Sequence, residues 1–294
     1  MNQPTPVDEA DDGSSALHIA GLHLYPVKSC AGVSLGEVQL STTGFTGDRQ
    51  WMVVDGDGRF VTQRELPRMA LVTLLLAHET ALLRAPGMPE LPLPRLPSGQ
   101  TLAVQVWNDR VPAEAVGPYA DVWLSAFLGR RLRLVRFDPQ VRRLSNRRWS
   151  GDVEALNAFS DGFPILVISA ASLLALNERL HGRGQPPVEM ARFRPNLVID
   201  GLDAHAEDSL DELRFDTPAG PVVLRLVKPC PRCPIPNIDP ATGEAGTEPG
   251  DTLATYRADP RLDGAITFGM NAVIVEGIGR TLRTGQAGRG TVRF

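Results

Sequence analysis

Strand-length apolar runs, each cut off within a few residues by Gly, Asp or Pro, fill the first half of this chain and leave little but a sheet for it to build. The runs ALHIAGLHLYPV, GEVQL, QWMVVD, RFVTQ, ALVTLLLA and TLAVQVW have the length and the β-branched or large apolar content of strands. Residues 55–58, DGDG, carry turn chemistry that predicts a hairpin between the runs on either side. The pattern predicts an antiparallel, barrel-like module. Residues 88–100, MPELPLPRLPSGQ, hold too many prolines for regular structure and read as a surface loop. PYADVWLSAFLG then has apolar residues at helical spacing and Gly129 as a C-cap. In the second half PILVIS reads as a buried strand and AASLLALNERLHG as an amphipathic helix ending at a glycine. NLVID, PVVLRLV, NAVIVEG and GTVRF read as further strands. Strands and helices do not alternate, and no Gly-x-Gly-x-x-Gly or Gly-x4-Gly-Lys-Ser/Thr segment occurs. The fold class is therefore β-rich α+β and not a doubly wound nucleotide-binding fold.

Composition narrows the function. A net charge of −4 gives no general attraction to nucleic acid or to an anionic membrane, so any anion must be held by a local cluster of cations. Three cysteines, few and odd in number, argue against a disulfide scaffold and point to a reducing compartment, the cytoplasm by default. Residues 1–15, MNQPTPVDEADDGSS, are acidic, proline-bearing and free of an apolar run. They read as a disordered tail and as neither a signal nor a transit peptide. No uninterrupted apolar stretch reaches the ~18 residues of a membrane helix.

The stretch LVKPCPRCPIPNIDP, residues 226–240, sets Cys230 and Cys233 three positions apart among five prolines. A thioredoxin-like pair would open a helix, which Pro234 and Pro236 resist. A structural zinc site needs two more ligands; Cys30 could be a third, but the five histidines form no metal-spaced pair. Inert thiols are a further reading. The last is one exposed thiolate in a stiff loop, flanked by Lys228 and Arg232, cations that favour its charged form; a soft thiolate suits a redox transition metal.

Several longer motifs carry a resemblance. Residues 24–72, LYPVKSCAGVSLGEVQLSTTGFTGDRQWMVVDGDGRFVTQRELPRMALV, resemble the N-terminal β-barrel domain that precedes MOSC domains. RFRPNLVID, AEDSLDEL, KPCPRCPIPNIDPATGE and FGMNAVIVEGIG resemble the MOSC domain itself. The resemblance runs from about Leu17 to the C-terminus and is to the amidoxime-reducing components and their bacterial counterparts, which reduce N-hydroxylated compounds. It implies an N-terminal antiparallel barrel-like module over 16–138 packed on a MOSC β-barrel domain with peripheral helices over 150–294.

The resemblance also implies a cofactor site. In that family the second cysteine of the pair ligates molybdenum, which assigns the metal and the catalytic role to Cys233. The Lys-Ser pair after Tyr-Pro-Val falls on Lys28 and Ser29. The Asp-Arg-aromatic motif gives Arg49, although Gln50 precedes the aromatic Trp51, and Phe-Arg-Pro-Asn gives Arg194 and Asn196. Asp161 stands where the family places polar contacts, Arg232 adjoins the ligand cysteine, and Asn271 follows FGM. These residues would hold the molybdenum cofactor, a molybdopterin. Its phosphate calls for cations, which arginine supplies bidentately, and its ring for amide and hydroxyl partners. Phe163 departs from the small polar residue of the eukaryotic members.

The implied activity is reduction of small N-hydroxylated compounds such as amidoximes and hydroxylaminopurines. A MOSC sulfur carrier or cofactor-binding protein using a Cys233 persulfide is the alternative. Three cysteines fall short of the four of a usual iron–sulfur cluster, and the pyrophosphate fingerprint is missing. Some bacterial relatives continue into a ferredoxin-like domain, whereas this sequence ends at RGTVRF. Electrons are therefore expected from a separate redox protein, with neither nucleic acid nor membrane as a partner. Three other segments read more plainly. VRRLSNRRW (141–149) reads as a solvated basic loop or an entrance for an anion. NIDPATGE reads as a turn with positive φ at Gly243, and Asp211 in DAHAEDSLDEL as either a site neighbour or a polar turn.

Overall fold

The computed structural model describes residues 14–76, 80–93 and 99–293. Residues 1–13 of the expected tail, and 94–98 of the proline-rich stretch, lie outside the described residues. Ser14 and Ser15, assigned to the tail from sequence, instead open the strand Ser14–Leu24, because the edge beside Ala287–Val292 satisfies their backbone groups.

Seven strands close a barrel. In spatial order they are Ile165–Ser169, Leu197–Asp200, Ser14–Leu24, Ala287–Val292, Leu210–Thr217, Gly220–Pro231 and Ala265–Glu276, and the last pairs back onto the first. The segment 16–138 thus contributes its first strand to a barrel built otherwise from residues beyond 150. Only Ile165–Ser169 and Leu197–Asp200 run parallel among these neighbours, and the helix Ala170–Gly182 lies in the crossover that a parallel pair requires. Period-two alternation sends Leu213, Phe215, Val222, Leu224, Leu226, Met270 and Ala272 inward, where they pack into one fully buried cluster. At this barrel size side chains fill the interior, so a ligand must bind at an end or flank. Gly269 sits at the closure with φ 79°, where a Cβ would lie 2.5 Å from Ile168 Cγ1 and 2.7 Å from the Val167 carbonyl. Only glycine lets the two strands meet there.

A second, open sheet is ordered Trp51–Val54, Arg133–Phe137, Asp109–Ala115, Thr101–Val106. The helix Pro118–Leu128 belongs to the same half and buries Ala120, Trp123, Leu124 and Phe127; as expected, Gly129 ends it in the left-handed region at φ 68°. One expectation is met in short form and one fails here. DGDG closes a short hairpin: Val54 and Phe60 bridge antiparallel, Asp55 N donates to Arg59 O and Val61 N to Val53 O, each at 2.9 Å, and Asp55 Oδ1 accepts from the amides of Asp57 and Arg59. The other edge of Trp51–Val54 pairs with Arg133–Phe137, a strand buried on both faces, with Leu134 in one core cluster and Val135 and Phe137 in another. The proline-rich loop also contains a strand, Leu91–Leu93; it lies beside Ala81–Arg84, with Pro92 opposite Leu82. Proline is tolerated at such an edge.

A buried polar cluster beside the barrel couples stability to pH. Burial first, then the Arg257 charge, pushes the His205 imidazole down to about 4; its ring lies 6.0 Å from that of Phe268 and 5.7 Å from that of Tyr256. Between its ordinary value of 6.5 and about 4 the unfolded chain binds a proton at this site that the folded chain refuses, so stability falls as pH falls through that window. Chemical denaturation of wild type and His205→Gln at pH 7 and pH 4.5 should show the wild type losing more stability. Equal losses would remove His205 from this role.

Candidate cofactor site

A cavity of about 440 Å³ opens where the two halves meet. That is within the range of small-molecule sites. It is lined by all nine residues assigned from sequence: Lys28, Ser29, Arg49, Asp161, Arg194, Asn196, Arg232, Cys233 and Asn271. Thr62, Arg64, Trp107 and Lys228 join them. Lys228 is the cation that the sequence sets beside the thiol pair. Arg64 and Trp107 carry no such signal, because no motif spacing separates them from ordinary strand and turn residues. Asp211 lies elsewhere, 3.5 Å from Arg293 in an ion pair.

The thiol loop reaches the cavity through a broken strand. Alternation would send Lys228, Cys230 and Arg232 to one face and Pro231 and Cys233 to the other, yet all five line the cavity. The pairing of Gly220–Pro231 with Ala265–Glu276 shifts register between Leu226 and Lys228 and again between Pro229 and Pro231. Such irregularities bend a strand and re-aim its side chains. Prolines 229 and 231 donate nothing to the ladder, while the amide of Arg232 re-anchors the chain at Ile266 O, 2.8 Å. Cys233 then stands exposed and unpaired, Cys230 is half-buried, and Cys30 is buried. A three-residue 3-10 turn, Ile235–Asn237, follows in place of the helix that a thioredoxin-like pair requires. No group of three or more His, Cys, Asp or Glu that could hold a metal ion occurs among the described residues.

Charge concentrates here. Lys28, Arg49, Arg64, Arg194, Lys228 and Arg232 line the cavity against the single carboxylate of Asp161. The Arg49 and Arg194 guanidinium carbons lie 4.4 and 4.3 Å from the centroid of the Tyr25 ring. Burial and then the neighbouring Arg49 lower Arg194 to about 10, and burial raises the Tyr25 phenol to about 12 against the pull of both arginines. Arg49 donates to Asp48 at 2.5 Å, to Asn196 Oδ1 at 3.1 Å and to the Arg194 carbonyl at 3.2 Å. Arg194 Nη1 donates to Cys30 O at 2.5 Å, but its Nη2 is buried with no protein acceptor, as is Nε of Arg232. Buried donors left unpaired are costly. An anion in the cavity would neutralise like charges held close together and could draw on donors that the protein leaves unused, so the donor set fits a phosphate-bearing ligand.

Other assigned residues are fixed by the protein itself. Lys28 Nζ donates to Phe159 O at 2.8 Å and to Asp161 Oδ1 at 2.5 Å; burial lowers its pKa, and Asp161 opposes that. Asp161 in turn is held below the usual carboxylate range: desolvation opposes its ionisation, but Lys28 and the 2.9 Å bond from Trp107 Nε1 outweigh it. Its side chain is 76% exposed, so solvent screens this pair. Asn196 uses its amide on Arg49, Leu166 N and His23 O, and so steadies Arg49. Asn271 Nδ2 donates to Lys228 O at 3.3 Å at the register shift between Leu226 and Lys228. Arg232 Nη1 contacts Cys230 Sγ at 3.2 Å and its Nη2 donates to Phe193 O at 2.7 Å. Phe163 packs with Trp149, Val227 and Val273 on the cavity's apolar side.

Backbone strain gathers at the same place. Six non-glycine residues among those described have positive φ, and four of them, Ser29, Arg49, Trp107 and Arg194, line the cavity. Each costs about 1–3 kcal/mol and persists only where its surroundings over-determine it. Arg49 shows how: its amide donates to Tyr25 O and its carbonyl accepts from Phe159 N.

The MOSC N-terminal beta barrel domain family matches residues 16–131, and the MOSC domain family matches residues 155–290. Mitochondrial amidoxime reducing component 2 of Rattus norvegicus is 36% identical over 285 residues, 91% of this chain and 81% of that protein. Mitochondrial amidoxime-reducing component 1 of Mus musculus is 37% identical over 253 residues, 82% of this chain and 72% of that protein. Molybdenum cofactor sulfurase of Oryza sativa subsp. japonica is 32% identical over 298 residues, 92% of this chain but 35% of that protein.

Proposed function

Because the chain belongs to the MOSC family, in the form that pairs a MOSC domain with a MOSC N-terminal barrel domain and has amidoxime-reducing components as relatives, we propose that it is a molybdenum-cofactor-dependent reductase of N-hydroxylated compounds. The observation that carries this reading is one cavity lined by Cys233, with its exposed thiol, and by two arginines, Arg194 and Arg232, each with a guanidinium nitrogen that has no protein acceptor. Cys233 would hold the metal through its thiolate. Arg194 and Arg232 would meet the anionic part of a molybdopterin, with Lys28 and Arg49 adding charge and Ser29, Asn271 and Asp161 bordering the ring.

The net reaction is RNHOH + 2 H⁺ + 2 e⁻ → RNH₂ + H₂O, and the cofactor, when bound, supplies the two-electron oxygen removal. The chain's own part is to bind, orient and hold charge. Asp161 stays ionised beside Lys28 and so helps fix that cation instead of giving up a proton. Electrons would come from a separate redox protein. Among the described residues no helix is long and apolar enough to cross a membrane, and the free cysteines suit the reducing cytoplasm proposed from composition.

Reduction of a hydroxylaminopurine or an amidoxime by purified, molybdenum-loaded protein tests the scheme. NADH alone should give no turnover and reduced viologen dye should give it; robust NADH-driven turnover by the isolated chain would overturn the separate donor. The likeness to a cofactor sulfurase favours a second reading, a sulfur carrier with a Cys233 persulfide. Loaded protein that is inert with dye but bears a persulfide by mass spectrometry would select it.

A further inference from the structure

The basic run at 141–149 holds a residue that its solvated appearance conceals. Arg143 is buried, at 6% exposure. Its Nη1 donates to Ala158 O at 3.0 Å and to Ser160 O at 2.6 Å, its Nη2 to Asp161 O at 3.3 Å, and its Nε to Asp109 Oδ2 at 2.7 Å. One guanidinium therefore ties three carbonyls of the segment 158–161 to the hairpin strand Asp109–Ala115 of the other half. The remaining carbonyl of that segment, Phe159 O, faces the opposite cation and accepts from Lys28 Nζ at 2.8 Å, beside Asp161 Oδ1 at 2.5 Å. The amide of Phe159 also donates to the Arg49 carbonyl at 3.0 Å, bracing the left-handed backbone of Arg49.

We propose that Arg143 is a positioning residue for anion binding: it fixes the 158–161 segment, and through it the Lys28 ammonium and the Arg49 backbone on the cavity wall. Four acceptors in different directions require the planar fork of arginine, which lysine cannot reproduce from a single nitrogen. Two cations close together would separate if free to do so; the segment between them, with carbonyls divided between Arg143 and Lys28, holds both in place. Arg143 itself does not line the cavity, so its effect on a ligand passes through Lys28 and Arg49. The inference rests on the cavity being an anion site, as the proposed function has it, and not on the redox reaction.

The test is a double-mutant cycle on the full chain from a host that makes no molybdopterin, with inorganic pyrophosphate as probe, calorimetry at low salt and thermal unfolding alongside. Arg143→Ala should weaken pyrophosphate binding about tenfold, the effect of removing one charge-assisted hydrogen bond. In a Lys28→Ala background the same change should cost less than about twofold, because coupled residues are not additive. Arg143→Lys, which keeps the charge, should show a smaller loss coupled to Lys28 in the same way, and it decides the matter if the alanine variant does not fold. Equal losses in both backgrounds, no loss in the wild-type background, or no pyrophosphate binding by wild type would overturn the proposal. Coupled binding without turnover of loaded protein would fault only the reductase reading.

Discussion

Cys233→Ser protein, made in a host that produces the molybdenum cofactor, is expected to lose all dye-driven reduction of N-hydroxylated compounds while staying folded. Cys233 is exposed on a loop beyond the end of its strand, so the substitution removes no core packing, and the unfolding midpoint should move by no more than about 2 °C. A serine oxygen is a hard, neutral donor where a soft thiolate is required, and the molybdenum-to-protein ratio should fall with the activity. Cys230→Ser should be milder, because a hydroxyl there still accepts from Arg232 Nη1, which now approaches the sulfur at 3.2 Å. Full activity in Cys233→Ser with molybdenum still bound would reject the ligand assignment.

The second large effect is on cofactor retention. Arg194→Ala removes the guanidinium whose Nη2 has no protein acceptor, and Lys28→Ala removes a buried cation from the same wall. A charge-assisted hydrogen bond to an anion contributes about 1.5–3 kcal/mol, roughly ten- to a hundredfold in affinity. Pterin released on denaturation, measured by fluorescence against protein concentration, should drop accordingly in each variant. Wild-type occupancy in both would make these residues structural charges. Arg194→Lys separates charge from geometry: it keeps the cation but loses the fork that now reaches Cys30 O at 2.5 Å, so it should recover only part of the loss.

Much of the fold is legible in the sequence, and the failures have physical causes. The helix Pro118–Leu128 stands out because apolar spacing, a leading proline and a closing glycine all agree. DGDG turns the chain into a short hairpin, with Val61 N donating to Val53 O at 2.9 Å, but turn residues specify only one edge of a strand, and nothing in them foretells that the other edge of Trp51–Val54 pairs with Arg133–Phe137. Leu91–Leu93 is hidden because its proline content masks an edge strand. Arg143 reads as solvated because a single arginine in a basic run carries no mark of burial; only the convergence of three carbonyls on it gives one.

The sequence by itself determined the β-rich class, the turn and cap positions, and the chemical inventory: a thiol pair in a proline-stiffened loop and a scatter of cations, with motif order pointing to a cofactor. Those properties are local, set by residue type and short spacing. Tertiary structure alone decided which cations meet. Arg49 bonds Asn196 across 147 residues and Arg194 reaches Cys30 across 164, contacts that exist only because Ser14–Leu24 enters a barrel built from the far end of the chain. Which donors keep protein partners and which are buried without one follows from that closure. Hydrogen-bond satisfaction depends on positions to within a few tenths of an ångström, and no one-dimensional pattern encodes them.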